Sequence, residues 1–132
     1  RRNHLVRDIL QLYFLQQMEM PQNLPHDKLI DKAVRYLQMN FAQELCMKST
    51  ADSLGLSPVQ FTRRFRQAMN MTPSEYVTSL RLHQAKMLLL ETDLTVETVA
   101  KRCGYSSGLY LSRVFSQNIK TSPGAFRKTH RV

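Results

Sequence analysis

The chain has 132 residues, is 42% hydrophobic and 22% charged, and carries a net charge of +9. These values suit one or two small soluble domains and include no apolar run near the roughly 20 residues of a membrane span. Cys46, Cys103 and the four histidines show no metal-ligand spacing, and no Ser, Cys or Lys stands in a base-and-orienter pattern. No enzyme activity, metal or cofactor is therefore expected, and the thiols read as free in a cytoplasmic protein.

Residues 3–19 have helical composition, with Leu5, Val6, Ile9, Leu10, Leu12, Tyr13 and Phe14 over a broad apolar face. This helix is expected to pack on something. Residues 20–26 contain Pro21 and Pro25 and read as a connector, so residues 1–26 form one unit. The chain starts at Arg1 rather than Met, and residues 1–26 are expected to lead from an upstream effector domain. Residues 27–132 form the second unit.

From Asp27 to about Asn40, Leu29, Ile30, Ala33, Val34 and Leu37 recur at helical spacing. A short helix over about 47–54 starts weakly, because Cys46 stands where Ser, Thr or Asp caps best. Gly55 supplies a permissive turn. Ser57-Pro58 then opens a helix to about Asn70, with Phe61, Phe65 and Ala68 or Met69 inward. Thr72-Pro73-Ser74-Glu75 is a capping box opening a central helix over about 73–91, with Tyr76, Val77, Leu80, Ala85, Leu88 and Leu89 inward. Thr95 starts another short helix to about Arg102, with Val96, Val99 and Ala100 inward. Gly104-Tyr105-Ser106 is a turn, and a helix follows over about 107–118 with Leu111, Val114 and Phe115 inward. Ser122-Pro123 opens a last helix to about Lys128. The region is all-α.

Two stretches of this region match. Ala51/Ala100, Gly55/Gly104 and Ser57/Ser106 lie 49 positions apart; after a one-residue insertion, Phe61/Leu111, Thr62/Ser112, Arg63/Arg113, Phe65/Phe115, Pro73/Pro123 and Tyr76/Phe126 lie 50 apart. Each copy gives a short helix, a turn with glycine, and a second helix carrying arginine. That order describes a helix-turn-helix, whose second helix enters the DNA major groove. The first spans about 47–70 and the second about 95–119.

Charge follows the repeat. Residues 27–54 and 72–103 each balance, whereas 55–71 hold Arg63, Arg64 and Arg66 with no acid, and 104–132 hold Arg113, Lys120, Arg127, Lys128 and Arg131 with no acid. Positive charge gathered where groove-reading helices are expected is the footprint of a polyanion binder. Lys48, Ser57, Arg66, Ser106, Lys120 and Arg127 are phosphate candidates. Arg63 and Arg113 suit guanine edges, and the outward Val59 and Leu109 suit thymine methyls. Arg81 lies on the apolar side of the central helix and is expected to pair with a carboxylate, holding the two halves in register. About 18 residues of central helix span about 27 Å, close to the roughly 34 Å of a duplex turn.

The run A-x3-G-L-S-x3-F-T-R-x-F…T-P-x2-Y, then Arg81 and Ala85 as R-x3-A, then V-A-x3-G-Y-S…Y-L-S-R-V-F…S-P-x2-F-R resembles the AraC/XylS family of bacterial transcription regulators over about residues 27–129. The resemblance implies two homeodomain-like helix-turn-helix subdomains joined by a central linker helix, with residues 3–19 as an extra N-terminal helix. It implies a sequence-specific regulator that binds double-stranded DNA through helices 58–70 and 107–118. An activator would also contact RNA polymerase. The family's base-contacting positions fall on Val59, Thr62 and Arg63, and on Gly108, Leu109, Ser112 and Arg113. The chain departs from the pattern at Asn70 and Lys120, where glycine is usual, and at Thr50 and Arg64, where an aliphatic residue is usual. The alternative is a DNA-targeting module of a larger DNA-modifying or repair enzyme.

Overall fold

The computed structural model describes residues 27–131. The helix expected over 3–19 and the connector over 20–26 lie outside the described residues. Seven helices follow in order among the described residues: α1 (Lys28–Asn40), α2 (Met47–Ser53), α3 (Pro58–Met69), α4 (Pro73–Glu91), α5 (Val96–Arg102), α6 (Gly108–Ile119) and α7 (Pro123–His130). None is long and apolar enough to cross a membrane.

Local chemistry sets most of the boundaries. Ser57 and Thr72 each close a capping box, with Gln60 and Glu75 returning the bond to the cap backbone. Thr95 and Ser122 cap α5 and α7 through their hydroxyls. Cys46 precedes α2 without a side-chain cap bond. α6 starts one residue later than expected: Ser107, not Ser106, accepts from the Tyr110 N–H at 3.1 Å. The cap of the second copy is thus 50 residues from Ser57, so the insertion falls before the cap rather than after it.

The helices after each turn end as the departures from the family pattern foretell. Asn70 and Lys120 both take the left-handed conformation, at φ 62° and 69°. Asparagine tolerates this; lysine bears the Cβ penalty that glycine avoids.

Two cores form, and α4 belongs to both. Tyr76, Val77 and Leu80 join Ile30, Leu37, Phe61 and Phe65 in the first. Leu82, Ala85, Leu89 and Leu90 join Val99, Leu111, Phe115 and Phe126 in the second. The buried face of α4 changes along its length, and apolar residues therefore surround the helix. Met69 and Ala68 are both buried, and Leu88 is only half-buried. Burial of Phe65 against Phe61 and Tyr76, with ring centroids 5.8 and 5.7 Å away, fixes how α3 sits on α4. Phe115 and Phe126 repeat that contact at 5.4 Å between α6 and α7.

Thr50 is buried where an aliphatic residue would be usual, and its hydroxyl donates to the Cys46 carbonyl at 3.1 Å. That bond removes the cost of an unpaired buried hydroxyl.

Candidate nucleic-acid interface

With Phe61 and Phe65 turned inward, the helical period of α3 leaves Val59, Thr62, Arg63 and Arg66 exposed. Pro58, Val59, Thr62, Arg63, Arg66 and Gln67 line one shallow open groove along this face. Val59 keeps 73% of its surface exposed, as does its repeat partner Leu109 on α6. Such a bare apolar side chain contributes nothing to the core and would gain by burial against an apolar partner surface. Arg113 is exposed beside Leu109, and Ser112 is half-buried.

Gly108 differs from its expected role. It is buried against α5: its N–H donates to Glu97 Oε1 at 2.8 Å, and an added Cβ would stand 3.1 Å from that oxygen and 3.2 Å from the Glu97 Cα. Glycine lets α5 and α6 approach, and the residue presents no side chain to a groove. Gly108 therefore packs α6 against α5, and the candidate side chains that α6 offers are those of Leu109, Ser112 and Arg113.

The cations divide as sharply. Lys48 and Arg66 are exposed, and so are the hydroxyl-bearing Ser57 and Ser106. Lys120 is exposed, with its amine donating to the Gln117 carbonyl at 3.0 Å. Arg127 is half-buried, and its guanidinium donates to the Leu89 and Thr92 carbonyls at 3.0 and 3.2 Å. Those carbonyls lie at the end of α4, so Arg127 satisfies a helix terminus where a phosphate contact was expected.

Arg64 joins α3 to the start of α1. Its Nε and Nη2 donate to the two oxygens of Asp27 at 3.0 Å each, while Asp27 Oδ1 accepts from the Leu29 and Ile30 N–H groups. Burial alone would raise the Asp27 pKa; the Arg64 hydrogen bond and charge and the two N–H groups together hold it below the usual carboxylate value. Among the described residues Arg81 pairs with no carboxylate. It donates instead to the Phe41 and Gln43 carbonyls at 2.7 and 3.0 Å, and this corrects the expected ion pair.

Gln67 is a groove-lining residue that sequence reasoning missed. It stands one helical turn beyond Arg63 and lines the same groove. The i, i+4 spacing from Arg63 is the signal that could have found it.

A helix-turn-helix domain family matches residues 50–129. The chain belongs to the AraC/XylS-type helix-turn-helix family. It is 32% identical over 103 residues to the transcriptional activator RhaS of Citrobacter koseri, covering 78% of this chain and 37% of that protein. It is 29% identical over 104 residues to the regulatory protein PocR of Salmonella typhimurium, covering 79% of this chain and 34% of that one. The chain thus spans about a third of the length of these relatives. Among solved structures, the C-terminal domain of AraT, a response regulator from Geobacillus stearothermophilus, superposes with a TM-score of 0.77 at 31% identity, over 80% of this chain and 88% of that one. The DNA-binding domain of AdpA, solved with a target DNA, gives 0.73 at 27% identity, over 78% and 93%. Among the described residues this AraC-type module is all-α with two helix-turn-helix units.

Proposed function

We propose that the module reads two successive major-groove segments of one duplex, α3 in the first and α6 in the second. Val59, Thr62, Arg63 and Gln67 face base edges in the first segment; Leu109, Ser112 and Arg113 do so in the second. Lys48, Ser57, Arg66, Ser106 and Lys120 sit against phosphates. The observation that carries this reading is the matched exposure of Val59 and Leu109, each 73% bare at the same position of a repeat whose Phe61, Phe65, Leu111 and Phe115 are turned inward. Arginines stand four residues beyond both, where a two-pronged bond to guanine is within reach.

The two reading helices differ in sequence, so the preferred site is asymmetric. In the full-length protein, the module acts in the cytoplasm beneath an upstream effector domain and brings an activator to RNA polymerase. It performs no catalysis of its own. The regulator relatives favour this over a targeting module of a repair enzyme.

Selection of bound sequences from a random DNA pool, followed by footprinting, tests the reading. Protection of two segments about one turn apart, with different preferred bases, is the expected result. Protection confined to a single half-turn would overturn it.

A further inference from the structure

We infer that Arg81 is a positioning residue that locks the two reading heads at one mutual angle, so that the spacing between half-sites is itself read. This rests on the two-segment reading above.

Apart from the shared helix α4, the halves meet where the loop after α1 faces the turn between α5 and α6. Arg81 rises from the middle of α4 into that meeting point. Its Nε and Nη2 donate to the Phe41 and Gln43 carbonyls of the first half. Its guanidinium lies 5.4 Å from the ring centroid of Tyr105, which belongs to the second half. Tyr105 is buried and makes an edge contact with Tyr110 of α6, at 5.4 Å between centroids. The turn itself is close-fitting: a Cβ at Gly104 would stand 3.0 Å from Arg81 Nε, 3.0 Å from the Phe41 carbonyl oxygen and 3.1 Å from the Ala42 carbonyl carbon.

Two comparisons mark this as a device between halves. Gly55, the equivalent turn glycine of the first copy, has nothing within 4 Å of its would-be Cβ. Arg131, 50 residues beyond Arg81, also donates to a carbonyl past the end of a repeat's first helix, Thr92 at 2.9 Å, but its other partner is Asp93 of the same half. Arg81 alone of the two adds an aromatic face from the opposite half. A planar guanidinium with several fixed donors can hold two carbonyls and a ring at once, which an ammonium cannot.

Such a lock has a cost and a use. Inserting one base pair moves the second half-site by about 3.4 Å along the duplex and about 35° around it. A rigid pair of heads cannot follow, and the gain from simultaneous engagement is lost.

The test is a spacer series: the selected site with one or two base pairs inserted or deleted between its half-sites, bound by the wild-type chain and by Arg81→Met. Wild type should lose affinity by at least about tenfold at the first insertion. Arg81→Met should flatten that ratio to about threefold or less while binding an isolated first half-site as wild type does. A folded Arg81→Met that keeps the wild-type spacing ratio overturns the lock. A wild type indifferent to scrambling of either half-site would instead overturn the two-segment reading. Folding of the variant is not required for a second measurement. Spin labels at the exposed Lys32 and Thr129, in Cys46→Ser protein, should give one narrow distance distribution without DNA that DNA leaves in place. A broad distribution that narrows only on DNA overturns the lock.

Discussion

Arg64 and Asp27, 37 residues apart, share a two-pronged ion pair in which the aspartate also caps α1. One carboxylate therefore ties the first helix of the module to its first reading helix. The aspartate is favoured ionised when folded, so its contribution is complete above its unfolded pKa and is lost as pH falls through the lower folded value. Asp27→Ala should destabilise by about 1–2 kcal/mol near neutral pH through the lost cap and pair. The deficit relative to wild type should shrink below about pH 4. Urea unfolding of both proteins across pH 3–7 measures it; a deficit that stays constant into acid would contradict the ionised pairing.

His83 brings a second acid sensitivity of different origin. Burial, with the nearby Lys86 charge adding to it, lowers its pKa to about 4. The unfolded imidazole takes a proton near 6.5, the folded one only near 4, so the unfolded state binds more protons between these values. Stability should fall as pH drops through that window. His83→Gln should remove this part of the slope in thermal melts, while a slope unchanged in the variant would locate the effect elsewhere.

Lys120 sets stability against binding. Its left-handed backbone costs about 1–2 kcal/mol that glycine would not bear. Lys120→Gly should therefore raise stability by about 1 kcal/mol, and yet lower DNA affinity and reduce the log–log salt slope by about 1. Asn70→Gly, at the matching position, should gain less. A Lys120→Gly protein no more stable than wild type would show that the bond from its amine to Gln117 offsets the strain.

Arg63 and Arg113 occupy equivalent exposed positions but unequal surroundings. Arg63 shares its groove with Arg66, Thr62 and Gln67, whereas the start of α6 is the buried Gly108. Arg63→Ala should cost more than Arg113→Ala, and should relax preference at one or two bases by about 1–3 kcal/mol. Affinities for the selected site and its single-base variants, at one salt concentration, separate this from a phosphate contact. Equal losses on every variant would remove Arg63 from the base-reading set.

Much of this was legible because caps and apolar stripes are written in side chains. Ser57, Thr72, Thr95 and Ser122 start helices where their hydroxyls allow, and Phe61, Phe65, Leu111 and Phe115 point inward as their spacing requires. What escaped reading involves the backbone. Arg81 and Arg127 look in sequence like cations seeking an anion, and both find carbonyls contributed by residues whose identity hardly matters. Gly108 carries no side chain to show which way it faces; only the approach of Glu97 decides it. Ser106 and Ser107 are chemically equal caps, and choosing between them takes the geometry of the turn.

The way α4 serves both cores has a consequence for how the two copies are joined. Each copy borrows its last wall from the helix that is also the first wall of the next, so neither copy is a free-standing unit with an edge of its own. The two cores draw on successive stretches of that helix, Tyr76 to Leu80 for the first and Leu82 to Leu90 for the second. One continuous helix thus answers to two sets of neighbours in turn, and its buried face shifts between Leu80 and Leu82.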